Sequence, residues 1–413
     1  MYPSKRSRWL RCALLALLSG SQAHAGETSF TLQQAFELAW QRQPEAQALA
    51  SQQAAARAGS EIARAWSAEP LALELSSEGD QLNGNDGMRE HSLGLAIPLW
   101  LPGERQRAGA FADAQSRAVD SQALDAQLRT AAQVRDSFWL WQRAREERRL
   151  SEERLAHARL LAADVARRFQ AGELARVDQH QAEAALAQAE SEQARSRSAE
   201  ALASQRLHGL TGVTPSGESD AAGEALPSVP GDLASLDARH PQIRALLDRA
   251  EAARRAVELA HVQRQGNPEL TLATSRSREP GEAYDRSITV GLRVPLGSPS
   301  RTRLRQSTAE AQAIEAEAQA RLERQRLHGE IALARLQLDS ARVQVEAAQR
   351  RSQLAGEARG FMDKAFRLGE IDLPTRLLAE RDAEDARRQH ALARLDQAAA
   401  VSALRQALGL LPE

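Results

Sequence analysis

The sequence is poor in the residues that build disulfide frameworks and aromatic cores. It contains one cysteine, Cys12, which excludes an intramolecular disulfide and a cysteine-type zinc site. Aromatic residues make up only 4% of the 413 residues, and a core of leucine and alanine suits long thin helices better than β-sandwiches. The three methionines, Met1, Met88 and Met362, are too few for a relay that carries soft metals.

Charge of neither sign is in excess, and common catalytic motifs are missing. Lys+Arg total 54 and Asp+Glu total 55, so the net charge of −1 weighs against a nucleic-acid-binding protein, which usually carries a basic excess. No nucleophile elbow, P-loop, dinucleotide fingerprint or HExxH motif occurs, so we expect no enzyme activity, no cofactor and no metal site. The nine histidines show no i, i+4 pair, and we expect each to be solvated. They are His24, His91, His157, His180, His208, His240, His261, His328 and His390.

Residues 1–25 have the layout of a secretory signal peptide. Four basic residues precede the short apolar run 12–18, and an A-x-A cleavage signal occupies 23–25. A transmembrane anchor is the competing interpretation, but it needs roughly 20 apolar residues. Cleavage leaves 413 − 25 = 388 residues with a net charge of −1 − 4 = −5. Because no later run of 18 apolar residues occurs, we expect any membrane crossing to use β-strands.

The mature sequence is duplicated at an offset of 197 residues, and too many landmarks repeat at this spacing for chance. They pair Pro44 with Pro241 (241 − 44 = 197), Gly94 with Gly291, Pro98 with Pro295, Phe169 with Phe366, Gly172 with Gly369, Glu183 with Glu380 and Gly212 with Gly409. We therefore predict a first repeat at 26–212 and a second at 239–413. The stretch 213–238, rich in proline and glycine, is predicted to be a linker.

Each repeat begins with an amphipathic helix and a β-hairpin. The helix is predicted at 31–66, with Thr31 as its N-cap, and at 239–265. In the hairpins apolar residues alternate with small or polar ones, which gives each strand one apolar face. The clearest alternation runs Leu93, Leu95, Ile97, Leu99.

A very long helix and a return helix complete each repeat. The long helices are predicted at 104–168 and 302–365, with apolar residues at the three- and four-residue spacing of a coiled-coil seam. Such helices are roughly 97 Å long, whereas globular helices average about 11–12 residues. Gly172 and Gly369 are placed to act as C-terminal caps.

The two hairpins provide four strands of about 9–11 residues, the length that crosses a bilayer when a strand is tilted. Four strands alone cannot close, because open edges in lipid leave backbone groups without partners. Three chains would supply 3 × 4 = 12 strands, so we predict a homotrimer. Trp66 precedes the first strand and Trp100 follows the second, which places both at one rim as membrane-interface aromatics. Packing of the strand-to-helix junction is a compatible role for them.

Together these residues resemble the TolC-like outer-membrane factors, the outer membrane efflux protein family of Gram-negative bacteria. The resemblance covers essentially the whole mature chain and is greatest to the heavy-metal-efflux (CzcC-like) branch. It is carried by 169–183 (FQAGELARVDQHQAE), 97–105 (IPLWLPGER) and 290–296 (VGLRVPL). It implies a mainly α fold with a small β part. Strands of three chains would form one 12-stranded outer-membrane β-barrel, and tandem long helical hairpins would form a periplasmic α-barrel.

The resemblance also implies partners and a place for them. The channel would be the exit duct for heavy-metal cations, working with a periplasmic adaptor (membrane fusion protein) and an inner-membrane pump of the RND type. The tips of the long helices, at 169–178 and 366–375, would dock the adaptor. The docking residues implied are Phe169, Gly172, Glu173, Phe366, Gly369 and Glu370. The acidic candidates at the tunnel entrance are Asp178, Glu173 and Glu370.

Many relatives carry aspartates on the second return helix, at positions that Thr375 and Leu378 occupy here.

Two alternatives remain open at the level of sequence. The same channel architecture also serves drug efflux and type I protein secretion. A non-channel periplasmic coiled-coil adaptor or scaffold is the competing class, although adaptors have a single helical hairpin.

Overall fold

The computed structural model describes residues 30–82, 84, 86–216, 223–231 and 236–413. The signal peptide predicted at 1–25 lies outside the described residues. The elements are α1 (Leu32–Arg42), α2 (Pro44–Arg64), β1 (Ala72–Gly79), β2 (Arg89–Pro98), α3 (Glu104–Gln170), α4 (Arg176–Thr211), α5 (Pro241–Val262), β3 (Glu269–Arg278), β4 (Asp285–Arg293), α6 (Pro299–Arg367) and α7 (Leu373–Ala407). The chain is mainly helical with a small antiparallel sheet, as predicted.

The continuous helix predicted at 31–66 is wrong, because two helices, α1 and α2, meet at Gln43. Pro44 has no backbone N–H and opens the first turn of α2, so it cannot continue the hydrogen-bond ladder of α1. Thr31 caps α1 as predicted. Its hydroxyl oxygen accepts from the N–H of Gln34 at 3.2 Å, and the side-chain oxygen of Gln34 accepts from the N–H of Thr31 at 3.2 Å.

The long helices α3 and α6 have 67 and 69 residues, close to the predicted lengths. Each extends roughly 100 Å, and α4 and α7 pack along them as return helices. Ala131, Phe138 and Trp141 of the α3 seam lie in the main core, and Leu128 of the same seam is also buried. Among the helices of the described residues, none has an apolar stretch long enough to cross a membrane.

The two hairpins form one antiparallel sheet in the order β1-β2-β3-β4. β2 of the first repeat pairs directly with β3 of the second. The strands have 8, 10, 10 and 9 residues. β1 and β4 are edge strands, so within the described chain their outer backbone groups have no strand partner.

α6 is less enclosed than α3. α3 packs against α1, α2, α4, α5 and α7, whereas α6 packs against α5 and α7. α6 leaves large apolar side chains more than half exposed, and we call them the α6 stripe: Leu304, Ile314, Leu322, Leu333, Leu336, Val343, Leu354 and Phe361. Successive members are 3, 7, 8, 10 or 11 residues apart, close to whole helical turns, so they share one face.

The segment predicted as a linker contributes a buried contact between the repeats. Glu224 Oε1 lies 2.6 Å from Arg135 Nη2 in α3 and 3.1 Å from Arg405 Nε in α7. All three side chains are at most 4% exposed. Arg135 also donates to the Gln406 side chain at 2.6 Å and to the Leu410 carbonyl at 3.0 Å. We call Arg135, Glu224 and Arg405 the buried joint, because they link the segment to a helix from each repeat.

The expectation that every histidine is solvated is wrong. His240 is 1% exposed, and a Cβ at Gly409 would lie only 2.7 Å from its ring. Burial lowers the pKa of His240 to about 4, so the ring is neutral at pH 7. His328 Nε2 lies 2.9 Å from Asp237 Oδ1. These contacts join segments distant in sequence, so local patterns did not reveal them.

Candidate functional site

One face of the sheet is apolar across all four strands. Residues directly opposite each other in antiparallel strands share a face, so the register defines cross-strand rows. The apolar rows are Leu73–Leu95–Leu272–Val290, Leu75–Leu93–Thr274–Ile288 and Ile97–Leu270–Leu292. Their side chains are open: Leu75 is 74% exposed, Ile288 83% and Val290 68%. This apolar face therefore points away from the rest of the described chain.

The opposite face, which we call the shielded face, carries small side chains. Gly94 and Ala96 are buried on it. One of its rows consists of four serines, Ser76, Ser92, Ser275 and Ser287. Their hydroxyl oxygens lie 2.6 Å apart in the first pair and 2.8 Å apart in the last. Small polar residues on one face and leucines on the other suit a sheet with water on one side and lipid on the other.

The strands also separate their charges by sign. All five strand carboxylates lie on the shielded face: Glu74, Glu78, Glu90, Glu269 and Asp285. Among the strand residues, Arg293 is the one basic side chain on that face, and it pairs with Glu269 at 3.6 Å. The shielded face thus has a formal charge of −5 + 1 = −4 per chain. A face of one sign raises the local concentration of ions of the opposite sign.

Trp66 and Trp100 lie at the rim where the strands meet the helices. The indole N–H of Trp100 donates to the carbonyl of Ala65 at 3.0 Å, which fixes both tryptophans at the same end of the sheet. Trp66 is 63% exposed, whereas Trp100 is half-buried in the junction. Trp100 therefore packs the junction, and the membrane-interface role of both stays a prediction.

Glu104 is a buried carboxylate at the same rim that the sequence analysis missed. It is 2% exposed and opens α3. Its carboxylate accepts from the backbone N–H of Leu101 at 3.1 Å and from the side chains of Gln263 and Asn267 at 2.8 and 2.7 Å. It links the first repeat to the second, and no local pattern signals such a contact.

The chain reverses through the same turn at both helical tips. φ is +80° at Gly172 and +74° at Gly369, the left-handed region that favours glycine. In each turn the next residue donates its N–H to the carbonyl five residues earlier, at 2.9 Å for Glu173 and 3.0 Å for Glu370. This bond closes a Schellman cap, which confirms the predicted C-caps. No atom lies within 4 Å of a Cβ built at either glycine, so the backbone angle and not crowding requires glycine.

The implied docking residues differ in exposure. Glu173 and Glu370 are exposed at the turns, and Phe169 is half-buried. Phe366 is 6% exposed in a small core with Val165, Ala182 and Leu373. The Arg168 and Arg376 guanidinium carbons lie 5.5 and 4.9 Å from its ring centroid. Because Phe366 is buried between the hairpins, its side chain does not offer a docking surface.

Two aspartates at the tips are occupied by helix capping. The Asp178 carboxylate accepts from the N–H of Ala175 at 3.0 Å at the start of α4. Asp372, which the sequence analysis missed, is the N-cap of α7 and accepts from the N–H of Thr375 at 3.1 Å. Hydrogen bonds from Thr375 hold the pKa of Asp372 below its ordinary value. Asp178 and Asp372 therefore perform the same task from different positions in the turn.

The charges at the tips balance. The stretches 164–178 and 363–376 each contain three carboxylates and three basic side chains. Arginines pair with Asp164 and Asp363, for example Arg167 with Asp164 at 3.1 Å. Within the described chain Glu173 and Glu370 have no ion-pair partner. Any acidic character of the tips thus depends on these two glutamates.

Three possible metal ligands meet on α3 and α7, although the sequence predicted no metal site. One ligand atom from each of His157, Glu380 and Glu384 lies within 4.8 Å of the others. Arg359 lies 3.0 Å from Glu380, and Arg154 lies 2.9 Å from Glu384. Each carboxylate therefore already has an arginine as an ion-pair partner. Burial raises the pKa of Glu384 to about 7, with Arg154 opposing the shift. The cluster escaped sequence analysis because its helices are distant in sequence.

Known structures share this combination of long helical hairpins and four strands. CusC superposes with a TM-score of 0.77 at 17% identity, covering 98% of this chain and 99% of that chain. The outer membrane channel CmeC of Campylobacter jejuni gives 0.73 at 15% identity, with 92% and 85% covered. The outer membrane protein VceC of Vibrio cholerae gives 0.72 at 19% identity, with 92% and 97% covered. No curated protein sequence matches the chain.

The chain therefore shares its fold with these solved structures. The sequence profile described as outer membrane efflux protein matches residues 35–213 and 233–410. The chain belongs to the outer membrane efflux protein family, a family of channel-type proteins, and its location is the outer membrane. The resemblance found in the sequence is confirmed.

Proposed function

We propose that three copies of this chain form an outer-membrane channel that is the exit duct of a tripartite efflux system. The observation that carries the proposal is the apolar face, which stands open on a sheet with two unpaired edges. In lipid such edges are removed only when strands close into a ring. Three chains supply 3 × 4 = 12 strands, an even number within the range of outer-membrane barrels.

The α6 stripe supports the same assembly. Eight large apolar side chains on one helical face form an exposed surface that monomers rarely carry. A second copy of the chain is the proposed occupant, because the sheet edge next to this repeat also needs a second copy. The ring of strands and the ring of helices would then be closed by the same neighbours.

The proposed duct has a defined orientation. The strands cross the outer membrane, the ends of the strands that face away from the helices point outward, and the long helices extend roughly 100 Å into the periplasm. The tips at Gly172 and Gly369 would dock a periplasmic adaptor that joins an inner-membrane pump of the RND type. The two family matches, 35–213 and 233–410, lie close to the proposed repeats, 26–212 and 239–413, and the second match begins within the proposed linker 213–238.

The proposed cargo is a heavy-metal cation that moves passively without a catalytic step. The formal charge of −4 on the shielded face supports cation passage, because this face would line the barrel. Glu173 and Glu370, which are exposed and have no ion-pair partner among the described residues, would add to it at the entrance. The resemblance to the heavy-metal-efflux branch gives the class of cation.

Native mass spectrometry of a mild-detergent extract tests the assembly. We expect a species of three times the mature mass. Leu336→Arg in the α6 stripe should weaken it, whereas Glu357→Arg, at an exposed position of α6, should not. A monodisperse monomer would contradict the proposal, because four strands cannot close.

A deletion strain complemented with this chain tests the cargo. Restored resistance to divalent heavy metals, without restored resistance to drugs, supports the cation proposal. Restored drug resistance or protein secretion alone would favour those cargoes. In planar bilayers, Glu74→Gln with Asp285→Asn should lower cation selectivity through the barrel, and Asp178→Asn with Glu370→Gln should lower it at the entrance. An unchanged reversal potential in a salt gradient would reject the corresponding acidic region.

A further inference from the structure

The outer end of the apolar face is basic. The register continues beyond the apolar rows with Ser77–His91–Arg276–Arg286, and then with Arg89 opposite Arg278. Alternation keeps these residues on the apolar face, because each lies two or four residues from a member of those rows. Every strand carboxylate points to the shielded face instead. We call Arg89, His91, Arg276, Arg278 and Arg286 the basic belt.

The arginines of the basic belt have no carboxylate partner within the described chain, and two of them pack beside one aromatic ring. The guanidinium carbons of Arg276 and Arg278 lie 4.2 and 5.7 Å from the ring centroid of Tyr284. Tyr284 is 38% exposed, at the hairpin end of the sheet. An aromatic ring beside cations at the end of an apolar face is typical of a membrane–water interface.

The cost of arginine in lipid limits where the basic belt can lie. An arginine on the lipid face costs about 2–4 kcal/mol at the bilayer midplane and about 0–1 kcal/mol near the interface. Four arginines without anionic partners are therefore tolerable only at the level of the headgroups. Three chains would bring 3 × 4 = 12 such arginines around one barrel. A ring of this density requires anions from the membrane itself.

We infer that the basic belt binds the phosphate groups of the phosphorylated glycolipid of the outer leaflet, lipid A. The inference rests on the proposed orientation, in which the hairpin ends face outward. Guanidinium groups bind phosphate oxygens bidentately, and such bonds are strong where water is partly excluded.

A feature beside the basic belt suits the rest of such a lipid. An open depression of about 620 Å³ is lined by Arg276, Arg286 and His91 together with Leu75 and Leu93. It therefore offers cations for a phosphate and leucines for the first part of an acyl chain. A lipid with two phosphates and several acyl chains matches this surface better than a free anion, which would leave the leucines uncovered.

The test uses the purified full-length protein in mild detergent and native mass spectrometry with three lipids. Bisphosphorylated lipid A is compared with dephosphorylated lipid A and with phosphatidylglycerol. We expect the phosphorylated form to bind at least about tenfold more tightly than either, a difference of about 1.4 kcal/mol. Arg276→Gln with Arg286→Gln should reduce binding to the level of the dephosphorylated form. Arg293→Gln is the matched control, because Arg293 lies on β4 like Arg286 but on the shielded face. This variant should retain binding of the phosphorylated form.

Three results would overturn the inference. They are equal binding of the phosphorylated and dephosphorylated forms, equal binding of phosphatidylglycerol, and an unaltered preference in the Arg276–Arg286 double variant. The preference for the phosphorylated lipid is measured on whichever oligomeric state the purified protein adopts. Absence of a trimer would therefore contradict the proposed channel without deciding the lipid preference, so the two proposals fail separately.

Discussion

The long helix of the first repeat is enclosed by five neighbouring helices, whereas its counterpart in the second repeat leaves the α6 stripe open. The two repeats also differ in the residues of the buried joint. Arg135 and Arg405 correspond, at the offset of 197, to Ala332 and His208 (135 + 197 = 332; 405 − 197 = 208). The repeats therefore share their backbone turns but not their buried polar contacts.

This difference distinguishes features that both repeats share because their sequences are duplicated from features that depend on the neighbours of each repeat. The tip turns repeat within a few degrees and a tenth of an ångström because they depend on local sequence alone. Burial depends on neighbours, and the two copies have different neighbours. One repeat faces the interior of the protomer, and the other presents a surface that suits a second protomer.

The largest effect is expected at the buried joint. Glu224→Ala leaves Arg135 buried without a carboxylate and leaves Arg405 with Glu413 alone, at 2.8 Å, which should destabilise the chain by about 3–5 kcal/mol. Thermal unfolding followed by circular dichroism should then show the repeats melting separately. Glu61→Ala, at an exposed position, should change stability by less than about 0.5 kcal/mol. A single unshifted transition in Glu224→Ala would show that the joint does not couple the repeats.

In the sheet, we expect equivalent substitutions in the two repeats to have the same effect. Leu95 and Leu292 are equivalent (292 − 95 = 197) and share the apolar face. Arginine at either position should cost about 2–4 kcal/mol in the membrane and lower the amount of trimer. Ser287→Arg, on the shielded face, is the control and should affect assembly less. Normal trimer levels in Leu95→Arg, or a fully aqueous spin label at that position, would contradict a lipid-facing sheet.

At the tips, valine in place of Gly172 or Gly369 should cost about 1–2 kcal/mol, because a β-branched residue resists positive φ. Asparagine, which tolerates that conformation, is the matched control. We expect the valine variants to form trimers but lose crosslinking to the adaptor and efflux, with asparagine retaining more of both. Normal efflux by both valine variants would remove the docking role from these turns.

The smallest expected effect is on how the stability of the second repeat depends on pH. Glu384 corresponds to Ala187 in the first repeat (384 − 197 = 187), and burial raises its pKa from 4.5 to about 7. The folded state then holds a proton that the unfolded state has released. The stability that Glu384 contributes is full below pH 4.5 and is lost as pH rises through 7.

The charged groups around Glu384 are Arg154, Glu192, Glu380 and Asp385, with His157 nearby. In Glu384→Ala, we expect the melting temperature relative to the unsubstituted chain to rise between pH 5 and pH 8. A difference independent of pH would show that this carboxyl does not titrate in that range.

Sequence reasoning predicted the features that local chemistry determines. The period of two in the strands, the length of the long helices and the turn glycines follow from residue order. The break at Pro44 was missed because helix-favouring residues flank it on both sides. Glu104, Glu224, His240 and Asp372 were missed for another reason. Three of them contact residues far away in the sequence, and Asp372 replaces Asp178 three positions earlier in the equivalent turn (178 + 197 = 375).

The buried joint has a consequence for the order in which a secreted chain can fold. Arg135 emerges early, but its partners Glu224, Gln406 and Leu410 lie much later in the chain. Until Glu224 has crossed the inner membrane, burying Arg135 would leave a charge uncompensated in the interior, and until Gln406 and Leu410 follow, two of its hydrogen bonds are missing. The first repeat therefore cannot complete its core during translocation. The core of the first repeat can be completed only after the carboxyl-terminal residues arrive, so final folding depends on delivery of the whole chain.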